Sequence, residues 1–315
     1  MLKLIFSRLS QGIFVLLIIS LLVFVLLAAS GGDAVSALQN NPQISEETVA
    51  TLRHIYGLDR PLVIRYANWL AELARGNLGQ SIYFQTPVWR IIRPRLLGTV
   101  ELAVAALVIS LLIALTLGIA AARRSNSWVD RLCSLIVLLT SSTPRLALAL
   151  ITLAFIARTS VFNHSFSAAD SALGLRDGIW FLRILPPACI LSVPLIALFL
   201  AQTRTAIAGT LGEDFVRTAR AKGLPEKAVL LRHTLRPALN PLITTFGYSL
   251  GGLISGSVIV EKVMDWPGLG QLSVIAVQSR DVPLLMGVVL VASATVLAGN
   301  LLADILMRLN DPRLR

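Results

Sequence analysis

The chain has 315 residues, 55% of them hydrophobic and 14% charged, with a mean hydropathy of +0.76. An ordinary soluble domain carries about 25% charged residues, so composition excludes a water-soluble globular protein and indicates a membrane protein. The net charge of +11 comes with only 6% aromatic residues, and its cations flank apolar runs, a pattern that orients a membrane protein rather than one that binds nucleic acid.

A bilayer core of about 30 Å takes about 20 apolar residues in a helix. The first such run is 12–29. Its apolar length exceeds a usual signal-peptide core, so "LLAASGGDA" reads as the end of a retained signal anchor rather than a cleavage site. A long loop with seven arginines follows at 30–98, and further spans are predicted at 99–122, 132–157, 184–202, 242–260 and 284–307. Cys133 and Cys189 fall inside two of these runs. They read as small packing residues and make no disulfide or metal framework.

Lys3 and Arg8 precede the first span, Arg123, Arg124 and Arg131 separate the second and third, and Arg308, Arg313 and Arg315 follow the last. With six spans these groups share one side. That side is cytoplasmic, because short cytoplasmic loops carry the excess of Lys and Arg, and both termini lie there. The same side receives "EDFVRTARAKGLPEKAVLLRHTLRPALNP" at 213–241, a segment unlike the apolar runs around it.

Two short helices are predicted in that loop, with Phe215, Ala219, Val229, Leu230 and Leu235 giving partial apolar faces at helical spacing. Gly223 stands where the first helix stops, since glycine tolerates a left-handed turn. Pro225 suits the opening of the next helix, and Pro237 and Pro241 mark the return to the membrane. The elbow carries no catalytic group. It reads either as a docking surface or as a basic hairpin held on anionic lipid, and the residues alone leave both open.

Enzyme signatures fail on chemistry. A phosphate-binding loop needs Gly-Lys followed by Ser or Thr, but the four lysines precede Leu4, Gly223, Ala228 and Val263. His54, His164 and His233 lie in separate loops without metal-ligand spacing. "GYSLG" at 247–251 fits Gly-x-Ser-x-Gly, yet it sits in an apolar span with no preceding strand and no histidine in any span. Its glycines, with Gly252 and Gly256, instead suit close helix packing. A stand-alone carrier or channel would call for ion-binding polar groups or an inverted repeat, and neither is evident.

The loop "DFVRTARAKGLPEKAVLLRHTLRPAL" resembles the cytoplasmic loop of ABC-importer permeases, in particular the B-type subunit of the dipeptide, oligopeptide and nickel group. The general importer loop has Glu-Ala-Ala with a glycine four residues after the second alanine. Ala219 and Gly223 match, while Arg217 and Thr218 occupy the first two places, as is usual in the peptide subgroup. "GLDRPLVIRYANWLAELARGNLGQS" is similar to the subgroup's extracytoplasmic segment through Gly57, Leu58, Asp59, Pro61, Gly76, Leu78 and Gly79. "RLLGTVELA" resembles the entry to the second span, "DWPGLGQL" the turn after the fifth, and "NDPRLR" the ending. Departures are Gly32-Asp33-Ala34 where the family has Gly-Asp-Pro, Arg145 where an aromatic or apolar residue is usual, and the missing Leu-Pro-x-x-Gly in loop 158–183.

The resemblance implies an all-α membrane protein with the type I importer permease fold. It divides the chain into 1–29 (N-terminus and first span), 30–94 (helix-rich extracytoplasmic loop), 95–308 (permease domain with docking loop 203–241) and 309–315 (tail). It implies a subunit of the bacterial cytoplasmic (inner) membrane that is not itself an enzyme and supplies half of a path for peptides. Nickel or a metal chelate is the alternative cargo. The implied partners are a second homologous permease, two ATPase subunits holding ATP and Mg, an extracytoplasmic substrate-binding protein and the lipid bilayer, with no nucleic acid and no cofactor or metal on this chain. Asp214, Arg217, Thr218, Ala219, Arg220, Gly223 and Leu224 would dock the ATPase, and Trp266, Pro267, Gly268 and Gly270 would form an extracytoplasmic gate or turn. Trp266 itself either lines that gate or anchors in the interface.

Arg145 is particular to this chain. It lies fourteen residues past Arg131, about 21 Å along a continuous helix at 1.5 Å per residue. An arginine at mid-membrane costs at least about 2.5 kcal/mol, so it should face a polar path, where it would attract an anionic group of the cargo, or else form an ion pair with Glu101, Glu261 or the partner permease. Pro144 beside it suggests a kink.

Overall fold

The computed structural model describes residues 2–29, 46–55, 57, 59–124, 126–158 and 180–310. Gly32, Asp33, Ala34, Leu58, His164, residues 159–179 and the tail from 311 lie outside the described residues. The architecture is all-helical: α1 Leu2–Ala29, α2 Glu46–Ile55, α3 Leu62–Ala74, α4 Val88–Arg123, α5 Trp128–Ser142, α6 Arg145–Arg158, α7 Trp180–Leu211, α8 Asp214–Ala221, α9 Glu226–Ala228, α10 Leu235–Val263, α11 Leu269–Gln278 and α12 Val282–Asn310. A π-helical turn, Val229–Thr234, joins α9 to α10.

Four helices are long and apolar enough to cross a membrane, namely Ile5–Ala29, Val88–Arg123, Arg183–Leu211 and Val282–Asn310. The third and fifth predicted spans are bent pairs: α5 meets α6 at 94°, and 226–254 meets 256–263 at 45°. Counting each pair as one span gives six. The 94° bend has a local cause. Thr143 is extended, with φ −89° and ψ 121°, the conformation a following proline imposes. The unbroken run expected over 132–157 is therefore two helices, and the depth of Arg145 along a single axis no longer follows.

The loop also differs from expectation in two respects. Val216, fully buried, is the core residue of α8, whereas Phe215 is 47% exposed. In addition, the second short helix does not stand alone: α9 runs through the π turn into α10, past Pro237 and Pro241. Pro237 has no N–H for the carbonyl four residues back, and its ring crowds that carbonyl; the π turn ends just before this position.

The described residues form two compact units, Val100–Trp266 with Ala298–Arg315, and Leu2–Thr99 with Pro267–Leu297. In the first, α7 packs along α5 and α10, around a core that includes Leu102, Leu191, Phe199, Leu200 and Leu253. Small residues set the closest approaches. A Cβ on Gly118 would lie 2.7 Å from the Thr203 side chain, and one on Gly247 would lie 2.8 Å from Ala303. On the Gly-x-x-x-Gly face, Gly247 thus packs closely on a neighbouring helix, as its spacing suggests, whereas Gly252 meets open space and Gly256 meets the Arg145 side chain. The mostly buried Asp130 carboxylate ties α5 to α7 through a 2.6 Å ion pair with Arg204, which also donates to Ser134 Oγ at 3.0 Å.

In the second unit, Val88, Ile92, Leu272, Leu284 and Val288 form the core. Asp281, fully buried, opens α12: it accepts from Leu284 N at 3.0 Å and from Ser81 Oγ and Tyr83 N at 2.6 and 2.9 Å. The first span is mostly uncovered, with 11% of its apolar window buried. Exposed Phe6, Ile13, Phe14 and Leu26 give it a surface suited to hydrocarbon.

Candidate functional site

The elbow between α8 and α9 is built from its helix end outward. The C-terminal cap of α8 is closed by Gly223 N donating to Arg220 O at 2.9 Å and Leu224 N donating to Ala219 O at 3.4 Å. These two bonds define a Schellman cap, which places the residue after the C-cap in the left-handed region. Gly223 meets that demand with φ +77°. Asp214 begins α8 and Arg220 ends it, so both charges oppose the helix dipole favourably.

Inside the elbow, Val216 and Ala219 pack on Val229 and Leu211. Leu211, the last residue of α7, also packs on Ala122, Ile207 and Ala238. The outer surface presents charge and apolar side chains together. Arg220 Nε pairs with Glu226 Oε1 at 2.8 Å across the turn, and Arg217 Nη1 lies 3.4 Å from Asp214 Oδ1. Thr218 Oγ1 turns back to Asp214 O at 2.9 Å. Exposed ion pairs of this kind add little stability. Phe215, Leu224 and Leu231 are exposed by 47, 38 and 51%. Both residues of "FV" are apolar, and only packing decides that Val216 rather than Phe215 turns in.

The 265–270 turn is formed by a second Schellman cap, with Trp266 N donating to Glu261 O at 2.8 Å and Asp265 left-handed at φ +50°. Trp266 is 8% exposed and belongs to the core of its unit, so it is not an interfacial anchor. Gly268, extended at φ −124°, precedes α11 as its N-cap. Pro267 is half-buried and Gly270 buried. Thr99 Oγ1 accepts from Leu269 N at 2.8 Å.

Arg145, half-buried at the start of α6, reaches α10, where its Nη1 donates to Gly252 O at 3.4 Å. A Cβ on Gly256 would coincide with its guanidinium. Its partner is thus a backbone carbonyl on a glycine face rather than Glu101 or Glu261. The sequence reading passed over Asp130 and Asp281. "SWVD" at 127–130 carries Ser-x-x-Asp at a helix start, with Ser127 Oγ accepting from Asp130 N at 3.4 Å, and "DVP" at 281–283 is likewise a helix-start signal.

The chain is all-helical among the described residues, with several membrane-length helices and an exposed helical elbow, the make-up of a membrane component. The chain belongs to the family described as binding-protein-dependent transport system inner membrane component, whose model matches residues 114–315; the corresponding N-terminal family matches residues 1–103. It is 38% identical over 323 aligned residues to "Putative peptide permease protein" of Brucella suis biovar 1, covering 100% of this chain and 99% of the relative. It is 33% identical to "Probable peptide ABC transporter permease protein" of Sinorhizobium fredii over 313 residues, 99% and 98% of the two chains. The oligopeptide transport system permease protein AppB of Bacillus subtilis is 33% identical over 313 residues, 98% of each chain. The chain is thus an inner-membrane transport subunit.

Proposed function

We propose that this subunit forms half of the translocation path of an ATP-driven importer for peptides, with a second homologous permease supplying the other half. Two ATPase subunits, which hold ATP and Mg, dock on the α8–α9 elbow, and an extracytoplasmic binding protein delivers cargo. The observation that carries this reading is the elbow itself. Its inner face packs on Leu211, while Phe215, Arg217, Leu224 and Leu231 face outward with no covering element among the described residues. The peptide cargo is supported by the names of full-length relatives.

In this reading the basic short loops and both termini are cytoplasmic. Closure of the ATPase pair moves α8, and Leu211, shared between two apolar clusters, passes that displacement to α7 and α10. The coupling requires that the ATPases bind the two states differently. The 266–270 turn takes the extracytoplasmic gate position, with Trp266 as its buried support. Arg145 lines the path: one of its five guanidinium donors holds Gly252 O, which leaves donors for a cargo carboxylate. A second reading makes Arg145 a brace between α6 and α10, favoured by its fit against Gly256.

Co-purification of an ATPase pair with the full chain, followed by peptide uptake in proteoliposomes, tests the assignment. ATP-dependent uptake that needs the binding protein is expected. Uptake by this chain alone, driven by an ion gradient, would overturn it.

A further inference from the structure

A cavity of about 300 Å³ lies beside α1 and α3, lined in part by Phe24, His54, Arg60, Arg65, Asn68 and Trp69. Its lining is cationic. Among the described residues no carboxylate lies within ion-pair distance of Arg60 or Arg65, although the adjacent Asp59 feels the Arg60 charge, and the Arg65 guanidinium stands 5.9 Å from the Phe24 ring centre. The nearby Asp59 carboxylate is engaged by His54 Nδ1 at 2.9 Å, a hydrogen bond that holds it below the usual carboxylate range. Glu72 is engaged by Arg75 and Asn77 at 3.0 and 2.8 Å. The Trp69 indole nitrogen is buried with no hydrogen-bond acceptor among the described residues.

The setting indicates what would neutralise these donors. Helix α3 packs on α1 through Tyr66, whose hydroxyl lies 2.9 Å from Ser20 Oγ and whose ring is 5.3 Å from that of Phe24. Its first residues leave Leu62, Val63 and Ile64 exposed by 49, 81 and 47%. Apolar side chains exposed next to arginines, with Tyr66 and Trp69 between them, mark a helix lying in the headgroup plane of a bilayer. The 25-residue span Ile5–Ala29 is about 37 Å long, more than the roughly 30 Å hydrocarbon core, so the end of α1, little more than a turn beyond Phe24, reaches that plane. An apolar groove of about 460 Å³, lined by Val23, Leu26, Leu27, Leu285 and Val289, adjoins the same helix. Val282 lines both spaces.

We propose that the cavity binds the phosphate of an anionic phospholipid, with Arg60, Arg65, Asn68 and the Trp69 indole as its donors and an acyl chain in the neighbouring groove. The bound lipid fastens the first span and α3 together and belongs to no cargo or ATPase site. The shared chemistry is a phosphate monoanion, which free phosphate also offers.

The test uses the full chain in its assembled complex, equilibrated in detergent with phosphatidylglycerol or phosphatidylcholine, with retained lipid counted by native mass spectrometry. Phosphatidylglycerol should be retained in preference. An Arg60→Gln/Arg65→Gln variant should lose about 30-fold in affinity, at roughly fivefold for each cation. The Arg60→Lys/Arg65→Lys variant should keep most of the binding, and Arg90→Gln/Arg93→Gln, which removes equal charge elsewhere, should bind as the parent does. Should the double Gln variant fail to assemble, Trp69→Phe removes only one donor and should still weaken retention. Equal loss in the Arg90/Arg93 variant, displacement of lipid by millimolar inorganic phosphate, or preference for an acidic peptide over phosphatidylglycerol would each overturn the assignment.

Discussion

Replacing Gly223 isolates the coupling role of the elbow, because the structure separates backbone cost from crowding there. No heavy atom of the described residues lies within 4 Å of a Cβ built on this residue, so any effect within this chain must come from its φ of +77°. A left-handed conformation costs an ordinary L-residue about 1–2 kcal/mol, asparagine less, and a β-branched residue most. The chain can relieve that cost by opening the cap bonds from Gly223 N and Leu224 N, which changes the angle between α8 and α9 without unfolding a membrane helix. At 1.4 kcal/mol per tenfold, the docked geometry should lose about 5- to 30-fold in population. The order of damage should be Val, then Ala, then Asn. Binding-protein-stimulated ATP hydrolysis and peptide uptake, measured together in proteoliposomes, should separate in that order, with hydrolysis persisting as uptake falls. If Gly223→Val couples like the parent, or Gly223→Asn is as damaging as Val, the left-handed cap is not what positions the elbow.

Further outcomes follow from the same coordinates. With the exposed Cys189 replaced by alanine, a membrane-impermeant thiol reagent should label Glu47→Cys on intact cells and Lys227→Cys only after permeabilisation; labelling of both from one side would overturn the six-span layout. Arg145→Gln should impair import of carboxylate-bearing cargo while leaving assembly and basal hydrolysis intact. Loss of the complex would instead mark Arg145 as the brace between α6 and α10, and unchanged import of every cargo would remove it from the path. Arg204→Met strands the Asp130 carboxylate, which is 5% exposed. Because Arg204 itself is 41% exposed, the loss should be about 1–3 kcal/mol, seen as a lower thermal midpoint. Asp130→Leu/Arg204→Met should cost less than the sum of the two single changes, and strict additivity would refute a direct pair.

Helix ends show what could and could not be read without coordinates. Four helices close with the same cap: α3 at Gly76, α8 at Gly223, α10 at Asp265 and α11 at Arg280, with φ of +78°, +77°, +50° and +52°. The two glycines announce a left-handed residue, because only glycine adopts it without steric penalty. Asp265 announces it only weakly, as a residue type enriched in that region, and Arg280 not at all, since an arginine rarely adopts it. The same contrast holds for the carboxylates. Asp214 and Glu226 sit in a visibly polar loop, whereas the local helix-start signals at Asp130 and Asp281 do not reveal their distant donors on α7 and on the 81–83 loop.

The sequence by itself determined that the chain belongs in a membrane, where its apolar runs fall, that a basic elbow interrupts them and that Gly223 turns it. Those features depend on solubility and on local backbone sterics, which a linear pattern records. Only the tertiary structure decided that Val216 rather than Phe215 turns inward, that Trp266 is a core residue, that the third run folds back by 94°, and that Arg145 rests on the Gly252 carbonyl. Hydropathy reports only that a side chain avoids water. Lipid and protein interior satisfy that equally, so the choice between them is made by packing alone.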